Sequence, residues 1–290
     1  MFRAVFAALL LQRPVLGVLN GVVLSPRDTR SLVKLSSTFL HLSGEATCGG
    51  VFIAPNAVLT AAHCVIDENL HSSLVTINLS GFHPVAVNRR KVVHSKTFDI
   101  HSGYSEELRG DPDLAIVFIA SPFKCKALSG PAVALLPPQI VQKAGRSNVE
   151  DHITEKEIAN ALCFATGWGL TESGEFAATP QTMYLRVLRD ESGALLGYPT
   201  QPITRACQGD SGSPVYCLIR GKKYLIGVVT DIGSFNEIDP DVDDLMRCKL
   251  YDLVIISDIR ANADEIVRIL NARGKMRDLM DGQENCHKLH

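Results

Sequence analysis

Short apolar runs, each bounded by Gly, Pro, Asn or Asp, recur along this chain and constrain its fold more than any other feature. Runs of about 4–8 residues that end at turn-forming residues are typical of β-strands, and helical periodicity is scarce. The pattern therefore predicts an all-β protein, either a sandwich or a set of barrels. The predicted strands are residues 50–53, 74–79, 84–87, 114–119, 163–166, 182–187, 214–219 and 224–230.

Several segments depart from the strand pattern. Residues 261–270 carry apolar side chains at helical spacing after an acidic first turn, which predicts an amphipathic helix packed on the β body. The tail, residues 271–290, is polar and is predicted to be loose apart from Cys286. Residues 144–157 and 236–249 are predicted surface insertions. The second is acidic but lacks the EF-hand spacing, so we expect a solvated loop rather than a calcium site.

Length, composition and charge exclude several classes of protein. The 290 residues allow one large domain or two smaller ones. They are 46% hydrophobic and 21% charged, which excludes a disordered or collagen-like chain. The net charge of −2 leaves no basic excess, so no nucleic-acid partner is expected. The longest apolar run, residues 4–11, is shorter than the roughly 20 residues that span a bilayer, so no membrane partner is expected.

The cysteines and the N-terminal segment indicate an exported protein. There are eight cysteines and no Cys-x-x-Cys pair, which argues against a metal site and favours disulfides in an oxidising compartment. Arg3, the apolar residues 4–11 and the small Gly17 predict a signal peptide over residues 1–17. The alternative is a buried first strand or helix. We therefore predict a secreted protein that holds no metal.

A serine flanked by glycines suggests nucleophilic chemistry. Ser211 lies in Gly-Asp-Ser-Gly-Ser-Pro, residues 209–214, a turn that would expose the hydroxyl and direct backbone N–H groups at one point. The hexapeptide alone could be an ordinary turn, and a serine hydroxyl needs a neighbouring base to become a nucleophile. His63 is the candidate base, because it follows an apolar strand and precedes Cys64, which can pair with Cys48 and hold the ring in place.

A carboxylate is also needed, to orient the imidazole and to stabilise its cation. Asp113 precedes an apolar strand, so its side chain can be buried where a charge would need a partner. Asp111 is the rival, but it lies before a proline in a turn, which favours a solvated role. We expect Asp113 to be the orienting carboxylate.

Five motifs occur in an order that resembles the trypsin/chymotrypsin-like serine proteases. They are Cys-Gly-Gly at 48–50, Leu-Thr-Ala-Ala-His-Cys at 59–64, Asp-Leu-Ala at 113–115, Gly-Trp-Gly at 167–169 and Cys-Gln-Gly-Asp-Ser-Gly at 207–212. The resemblance covers about residues 18–270, which we treat as one protease domain. It implies two packed six-stranded antiparallel β-barrels, with the site in the cleft between them, and a C-terminal helix.

The resemblance also implies a role for each residue at the site. Ser211 would be the nucleophile, His63 the general base and then the general acid, and Asp113 the residue that orients His63. The backbone N–H groups of Gly209 and Ser211 would form the oxyanion hole, and no cofactor is needed. The implied disulfides are Cys48–Cys64, Cys163–Cys217 and Cys207–Cys248. Whether Cys125 and Cys286 pair is left open.

The N-terminal end of the domain departs from the family pattern. In this family a freed apolar N-terminus inserts, and its ammonium pairs with the aspartate before the nucleophile, here Asp210. The matching start is Val18, and Gly17 precedes it instead of Lys or Arg. We expect signal-peptide removal to expose Val18 without a separate activation cleavage. Cleavage elsewhere, or no insertion, is the alternative.

The specificity pocket departs as well. Arg205 lies at the pocket-floor position, where trypsin-type cleavage needs a carboxylate, so cleavage after Lys or Arg is not expected. A guanidinium there could instead bind an acidic side chain. The alternative is that an acid of residues 236–249 neutralises Arg205, or that Arg205 points away. Thr230, Asp231 and Ile232 replace the family's usual Ser-Trp-Gly step on the pocket wall.

Two functions therefore follow from the sequence. One is a secreted serine endopeptidase of non-tryptic specificity, with an acidic residue before the cut as one option. The other is a protease-like binding protein with weak or no turnover. The complete triad favours the enzyme, because a binding protein has no physical need for all three groups. The expected partners are a protein or peptide substrate and protein inhibitors, and the expected state is a monomer.

Overall fold

A computed structural model describes residues 18–23, 29–41, 44–68, 70–79, 92–107, 112–123, 131–147 and 150–286. The predicted signal peptide 1–17 and the predicted strand 84–87 lie outside the described residues. Within the described part of the chain, no helix combines the length and the apolar character needed to cross a membrane.

The described chain is built mainly from antiparallel β-strands. In chain order these are β1 (Val22–Val23), β2 (Leu32–Thr38), β3 (Glu45–Ala54), β4 (Ala57–Thr60), β5 (Ile66–Asp67), β6 (Leu70–His71), β7 (Leu74–Asn78), β8 (Val92–Ser95), β9 (Thr97–Ile100), β10 (Ala115–Phe118), β11 (Leu162–Gly167), β12 (Gln181–Arg189), β13 (Leu195–Pro199), β14 (Pro214–Ile219), β15 (Lys222–Gly233) and β16 (Leu253–Asp258).

Fourteen of the sixteen strands form two sheets, one for each half of the described chain, and β5 and β6 pair separately as a two-stranded sheet. The C-terminal half closes into a six-stranded barrel in the order β12-β11-β14-β15-β16-β13, because β13 also pairs with β12. β1 pairs with Gln181 and Thr182 at the start of β12. The N-terminal half is a seven-stranded sheet in the order β8-β7-β2-β3-β4-β10-β9. Among the described residues, no pairing joins its end strands, so it is a half-barrel. The predicted all-β fold is confirmed, with one closed barrel and one half-barrel.

The two halves share one hydrophobic core. Leu59 and Ile116 of the half-barrel belong to the same buried cluster as Trp168 and Tyr216 of the barrel side. The hydroxyl groups of Ser31 and Tyr216 are 2.8 Å apart and add a hydrogen bond between the halves. Because this core is continuous, the cleft between the halves has fixed walls.

Five helices surround the sheets in the described chain: α1 (Pro138–Lys143), α2 (Glu155–Ala159), α3 (Asp244–Leu250), α4 (Ala263–Ala272) and α5 (Met276–Asp281). α4 confirms the predicted amphipathic helix, shifted by two residues. The prediction of surface insertions is only partly right. A capping box at Thr154 starts α2 inside the first of them, and Ile153 is buried. The second ends in α3, which carries Cys248 into the core.

The prediction of a loose tail is wrong. A π-helical turn, Gly282–Cys286, follows α5, and Gln283 is only 2% exposed. Its amide oxygen accepts a hydrogen bond from the N–H of Leu136 (2.9 Å), and its amide nitrogen donates to the carbonyls of Ala134 (2.8 Å) and Ile53 (3.4 Å). The tail therefore satisfies buried backbone groups of the N-terminal half.

The three disulfides implied by the resemblance are present: Cys48–Cys64, Cys163–Cys217 and Cys207–Cys248. Cys286 is also disulfide-bonded, whereas Cys125 lies outside the described residues. Cys48–Cys64 joins β3 to the turn that follows β4, and Cys207–Cys248 joins the loop before Ser211 to α3.

Gln283→Ala should lower the free energy of unfolding by about 1–3 kcal/mol, because it leaves the N–H of Leu136 and the carbonyl of Ala134 buried without their partner. Urea unfolding measures this change. Asn271→Ala removes an exposed amide at the end of α4 and is the matched control, with an expected change below about 0.5 kcal/mol. Equal losses in the two variants would contradict the structural role of Gln283.

Candidate active site

Asp113 is the best-anchored side chain of the predicted triad. It lies just before β10 and is 6% exposed. One carboxylate oxygen accepts hydrogen bonds from the backbone N–H groups of Ala62 (2.6 Å) and His63 (3.0 Å), and the other lies 2.6 Å from Nδ1 of His63. Because a carboxylate can only accept, Nδ1 carries the shared proton and Nε2 is left as the basic nitrogen.

The strand before His63 and the disulfide after it hold this residue in place. It lies on a 3-10 turn, Ala62–Cys64, that directly follows β4, and the disulfide Cys48–Cys64 closes the turn onto β3. Its side chain is 36% exposed, so the ring is open to a ligand while its Nδ1 edge is fixed. Cys48 and Cys64 lie close to this ring, but their sulfur atoms are bonded to each other and offer no thiolate to a metal.

Ser211 lies on a tight turn that only glycines allow. Gly209 and Gly212 have φ values of 90° and 73°, in the left-handed region that favours glycine. The carbonyl of Ser211 accepts a hydrogen bond from Gly49 of β3 (2.7 Å), and the N–H of Gly212 donates to Val229 of β15 (2.7 Å). The two halves of the molecule therefore hold the serine from opposite sides.

One cavity of about 380 Å³ is lined by all three predicted catalytic residues, Ser211, His63 and Asp113. Thr230 and Asp231 of the predicted pocket wall also line it. In the described chain, neither Arg205 nor Ile232 belongs to its lining. Ile232 packs instead on the cluster around the Cys207–Cys248 disulfide.

Acidic side chains that the sequence reasoning missed line the same cavity. They are Asp67 and Glu68, just after the His63 turn, and Glu106, before Asp113. Asp67 is paired with His41 at 2.8 Å. No motif marks these residues. Their only sequence signal is their proximity to His63 and Asp113 along the chain.

The predicted oxyanion hole consists of backbone N–H groups on the serine turn. The N–H of Asp210 donates to the carbonyl of Cys207, and that of Ser213 donates to the carbonyl of Asp210, each at 3.0 Å. Within the described residues, the N–H groups of Gly209 and Ser211 donate to no protein acceptor. Those two donors can therefore be offered to a ligand oxygen.

Asp210 is a buried carboxylic acid. Its oxygens accept hydrogen bonds from the N–H groups of Gly169 (2.8 Å) and Cys207 (3.0 Å), and its side chain has no cation within ion-pair distance among the described residues. Burial raises the pKa of Asp210 to about 7, although the two N–H donors act in the opposite direction. The site therefore disfavours a charge on Asp210 unless a cation is supplied.

The predicted new N-terminus lies beside this region. Val18 and Leu19 are each 1% exposed, and Val18 packs in the core of the C-terminal barrel. Leu19 forms a β-bridge with Arg205, whose N–H donates to the carbonyl of Leu19 at 3.1 Å. Val18 and Leu19 are thus buried against the C-terminal barrel, whereas the insertion of a freed Val18 and its ion pair with Asp210 stay predictions.

Arg205 is a half-buried cation without an acidic partner. Its Nη1 donates to the neighbouring carbonyl of Thr204 (2.8 Å), and its buried Nε has no hydrogen-bond partner. Among the described residues, which include all of 236–249, no carboxylate lies within ion-pair distance of this guanidinium. No acid of that loop therefore pairs directly with Arg205. The other alternative, that Arg205 points away from the pocket, stays a prediction, and Arg205 does not line the cavity.

Comparison with known proteins agrees with this fold. The sequence model of the Trypsin family matches residues 28–242. The chain therefore belongs to the trypsin family, a family of serine endopeptidases.

Two curated relatives and two solved structures illustrate the likeness. Chymotrypsin-like elastase family member 1 of Canis lupus familiaris is 29% identical over 219 residues, which are 68% of this chain and 75% of the relative. The Bos taurus protein of that name is 26% identical over 238 residues, 76% and 80% of the two chains. HL collagenase has a TM-score of 0.63 at 21% identity, covering 89% of this chain and 99% of its own. Human heparin binding protein has a TM-score of 0.60 at 19% identity, covering 88% and 97%.

The buried Asp210 generates a prediction about pH. In a chain extended before Val18, the free energy of unfolding should fall as the pH rises from about 4 to about 7. The unfolded state releases the proton near pH 3.8, whereas the folded state holds it until near pH 7. Asp210→Asn should remove a component of at most about 1.4 kcal/mol per pH unit from that slope.

Urea unfolding across this pH range measures the slope. Asp241→Asn, which removes one exposed carboxylate, is the control for the change in net charge. Identical slopes for the parent and Asp210→Asn would contradict the burial of an uncharged Asp210.

Proposed function

We propose that the protein is a secreted serine endopeptidase that hydrolyses peptide bonds through an acyl-enzyme intermediate. The hydrogen bonds of the Asp113 carboxylate are the main support for this proposal. One oxygen holds the backbone of His63, the other binds its ring, and the ring shares a cavity with Ser211. A ring oriented by a carboxylate, in a cavity that it shares with a serine hydroxyl, supports general-base activation of that hydroxyl.

The reaction then uses side chains, backbone N–H groups and water. The hydroxyl oxygen of Ser211 attacks the carbonyl carbon, and its proton passes to Nε2 of His63, whose cation Asp113 stabilises. The N–H groups of Gly209 and Ser211 bind the oxygen that becomes negative. His63 protonates the leaving amine, which leaves an ester on Ser211. Water, deprotonated by His63, hydrolyses that ester and restores the hydroxyl.

Secretion and activation belong to the same proposal. Four of the cysteines lie in disulfides that tie the catalytic turns, which favours an oxidising compartment. Removal of residues 1–17 would free the amine of Val18 beside the region of Asp210. An ammonium there would supply the charge that the buried carboxyl lacks. The burial of Val18 and Leu19 and the bridge between Leu19 and Arg205 support this route.

A protease-like binding protein is the second candidate, because Thr230, Asp231 and Ile232 alter the pocket wall. A fluorophosphonate probe distinguishes the two. We expect it to label the parent and not Ser211→Ala. Ser213→Ala is the matched control, since Ser213 lies in the same turn and its buried hydroxyl has no partner in the described structure. Asp113→Asn should lower the labelling rate by about 10⁴, because the amide favours the wrong imidazole tautomer.

The outcomes of this experiment separate the candidates. Labelling of Ser211→Ala would contradict Ser211 as the nucleophile. A parent that stays unlabelled with a freed Val18 would favour the binding protein.

For the specificity, we propose non-tryptic cleavage with an acidic residue before the cut. The absence of a carboxylate partner for Arg205 among the described residues supports this, since a half-buried guanidinium gains from a bidentate acidic ligand. Because Arg205 does not line the cavity of the triad, the proposal requires the acidic side chain to reach the guanidinium beyond that lining. Protein inhibitors remain expected partners, and a monomer remains the expected state.

Cleavage of a peptide library tests the specificity. Peptides with Asp or Glu before the cut should be preferred. Arg205→Ala should lower kcat/KM on them by about 10–100-fold, equivalent to about 1.5–3 kcal/mol for a charged hydrogen bond. Arg186→Ala, an exposed arginine of β12, is the control and should leave the profile unchanged. A preference for Lys or Arg before the cut would contradict the proposed specificity.

A further inference from the structure

We propose that the 169–177 hairpin, the segment from Gly169 to Ala177, positions the oxyanion donor of Gly209, and that Phe176 is the positioning residue. The inference rests on the proposed function, because an oxyanion donor matters only if Ser211 performs acyl transfer. It concerns a segment that contains none of the predicted site residues.

The hairpin is closed by its own hydrogen bonds. Leu170 and Phe176 form an antiparallel β-bridge across it. The N–H of Thr171 donates to the carbonyl of Glu175 (2.9 Å), and the N–H of Ala177 donates to the carbonyl of Gly169 (3.1 Å). The hairpin can therefore act as a rigid support.

One limb of the hairpin binds the peptide bond that carries the oxyanion donor. The N–H of Leu170 donates to the carbonyl of Gln208 at 2.9 Å. In a planar trans peptide, the carbonyl of Gln208 and the N–H of Gly209 point in opposite directions. Because the carbonyl is bound on the hairpin side, the N–H of Gly209 is directed away from the hairpin. Rotation of this peptide would break the bond to Leu170.

The other limb covers Gly209 with an aromatic ring. A methyl group built on Gly209 would lie 2.7 Å from Cε1 of Phe176 and 3.0 Å from its Cδ1, so the ring is in direct contact with this glycine. The ring is 43% exposed, and the ammonium of Lys34 lies 5.3 Å from its centroid. Phe176 is thus an exposed aromatic residue that packs on the Gly209 loop, and turning the peptide would require the ring to move.

The base of the hairpin is anchored to the two elements that the proposed activation joins. The N–H of Gly169 donates to Asp210 (2.8 Å), and Leu170 packs in one cluster with Leu19. The N–H of Asn20 donates to the carboxylate of Glu172. A single hairpin therefore contacts the N-terminal segment, the buried carboxyl and the oxyanion peptide.

Steady-state hydrolysis of p-nitrophenyl acetate and the rate of fluorophosphonate labelling test this inference. Phe176→Ala should lower both kcat and the labelling rate by about tenfold, with KM within about twofold. The Gly209 donor would be aligned for a smaller fraction of the time, and complete loss of such a donor costs about 10²–10³. Phe176→Leu, which still covers Gly209, should stay within about threefold of the parent.

Leu218→Ala is the matched control. Leu218 is 44% exposed, like Phe176, and lies near the end of β14 that is distant from the serine turn. It should react like the parent. An unchanged kcat in Phe176→Ala, or a rise in KM alone, would overturn the positioning role while the proposed function stands. Equal losses in Phe176→Ala and Leu218→Ala, or in Phe176→Ala and Phe176→Leu, would overturn it too. A parent that reacts with neither reagent overturns the proposed function itself.

Discussion

The buried carboxyl of Asp210 is the group on which the geometry of the serine turn depends. Its two oxygens bind the N–H groups of Gly169 and Cys207, so the hairpin and the start of the turn are fixed to one side chain. The room for that side chain exists because positions 167 and 169 are glycines. A Cβ atom at either one would overlap the carboxyl group. The Gly-Trp-Gly motif is thus required by space, while Trp168 supplies the buried aromatic contact between the halves.

Hydrogen bonds that cross between the two halves then help to position two residues of the proposed triad. Ser211 belongs to the barrel side but is bonded to Gly49 of the half-barrel (2.7 Å). Asp113 belongs to the half-barrel side, and its N–H donates to the hydroxyl of Ser257 in β16 (3.0 Å). Ser211 and Asp113 are therefore each held in part by the half to which they do not belong. Preorganisation of this kind lets a site act without rearranging at the moment of reaction.

The features carried by local pattern could be predicted from the sequence, and those created by distant contacts could not. Short apolar runs indicated the strands, and the motifs around His63, Asp113 and Ser211 indicated the triad because each lies at a strand end or tight turn. Ser257 and Gln283 could not be found in this way. Their partners are backbone groups more than a hundred residues away, and nothing in the neighbouring sequence marks them. The contact of Phe176 with Gly209 likewise exists only after the hairpin folds.

Each end of the described chain packs on the half of the molecule that is distant from it in sequence. Residues 18–23 begin the chain but pair with Arg205 and β12 of the C-terminal barrel. The π-helical turn Gly282–Cys286 ends it, but Gln283 in that turn donates to the carbonyl of Ile53 in β3 of the N-terminal sheet. Each half is consequently contacted by a terminal segment that is adjacent in sequence to the other half, in addition to the shared hydrophobic core. If the backbone were cleaved in the connection between the halves, the two fragments would stay associated through the non-covalent contacts of the exchanged chain ends and the shared core.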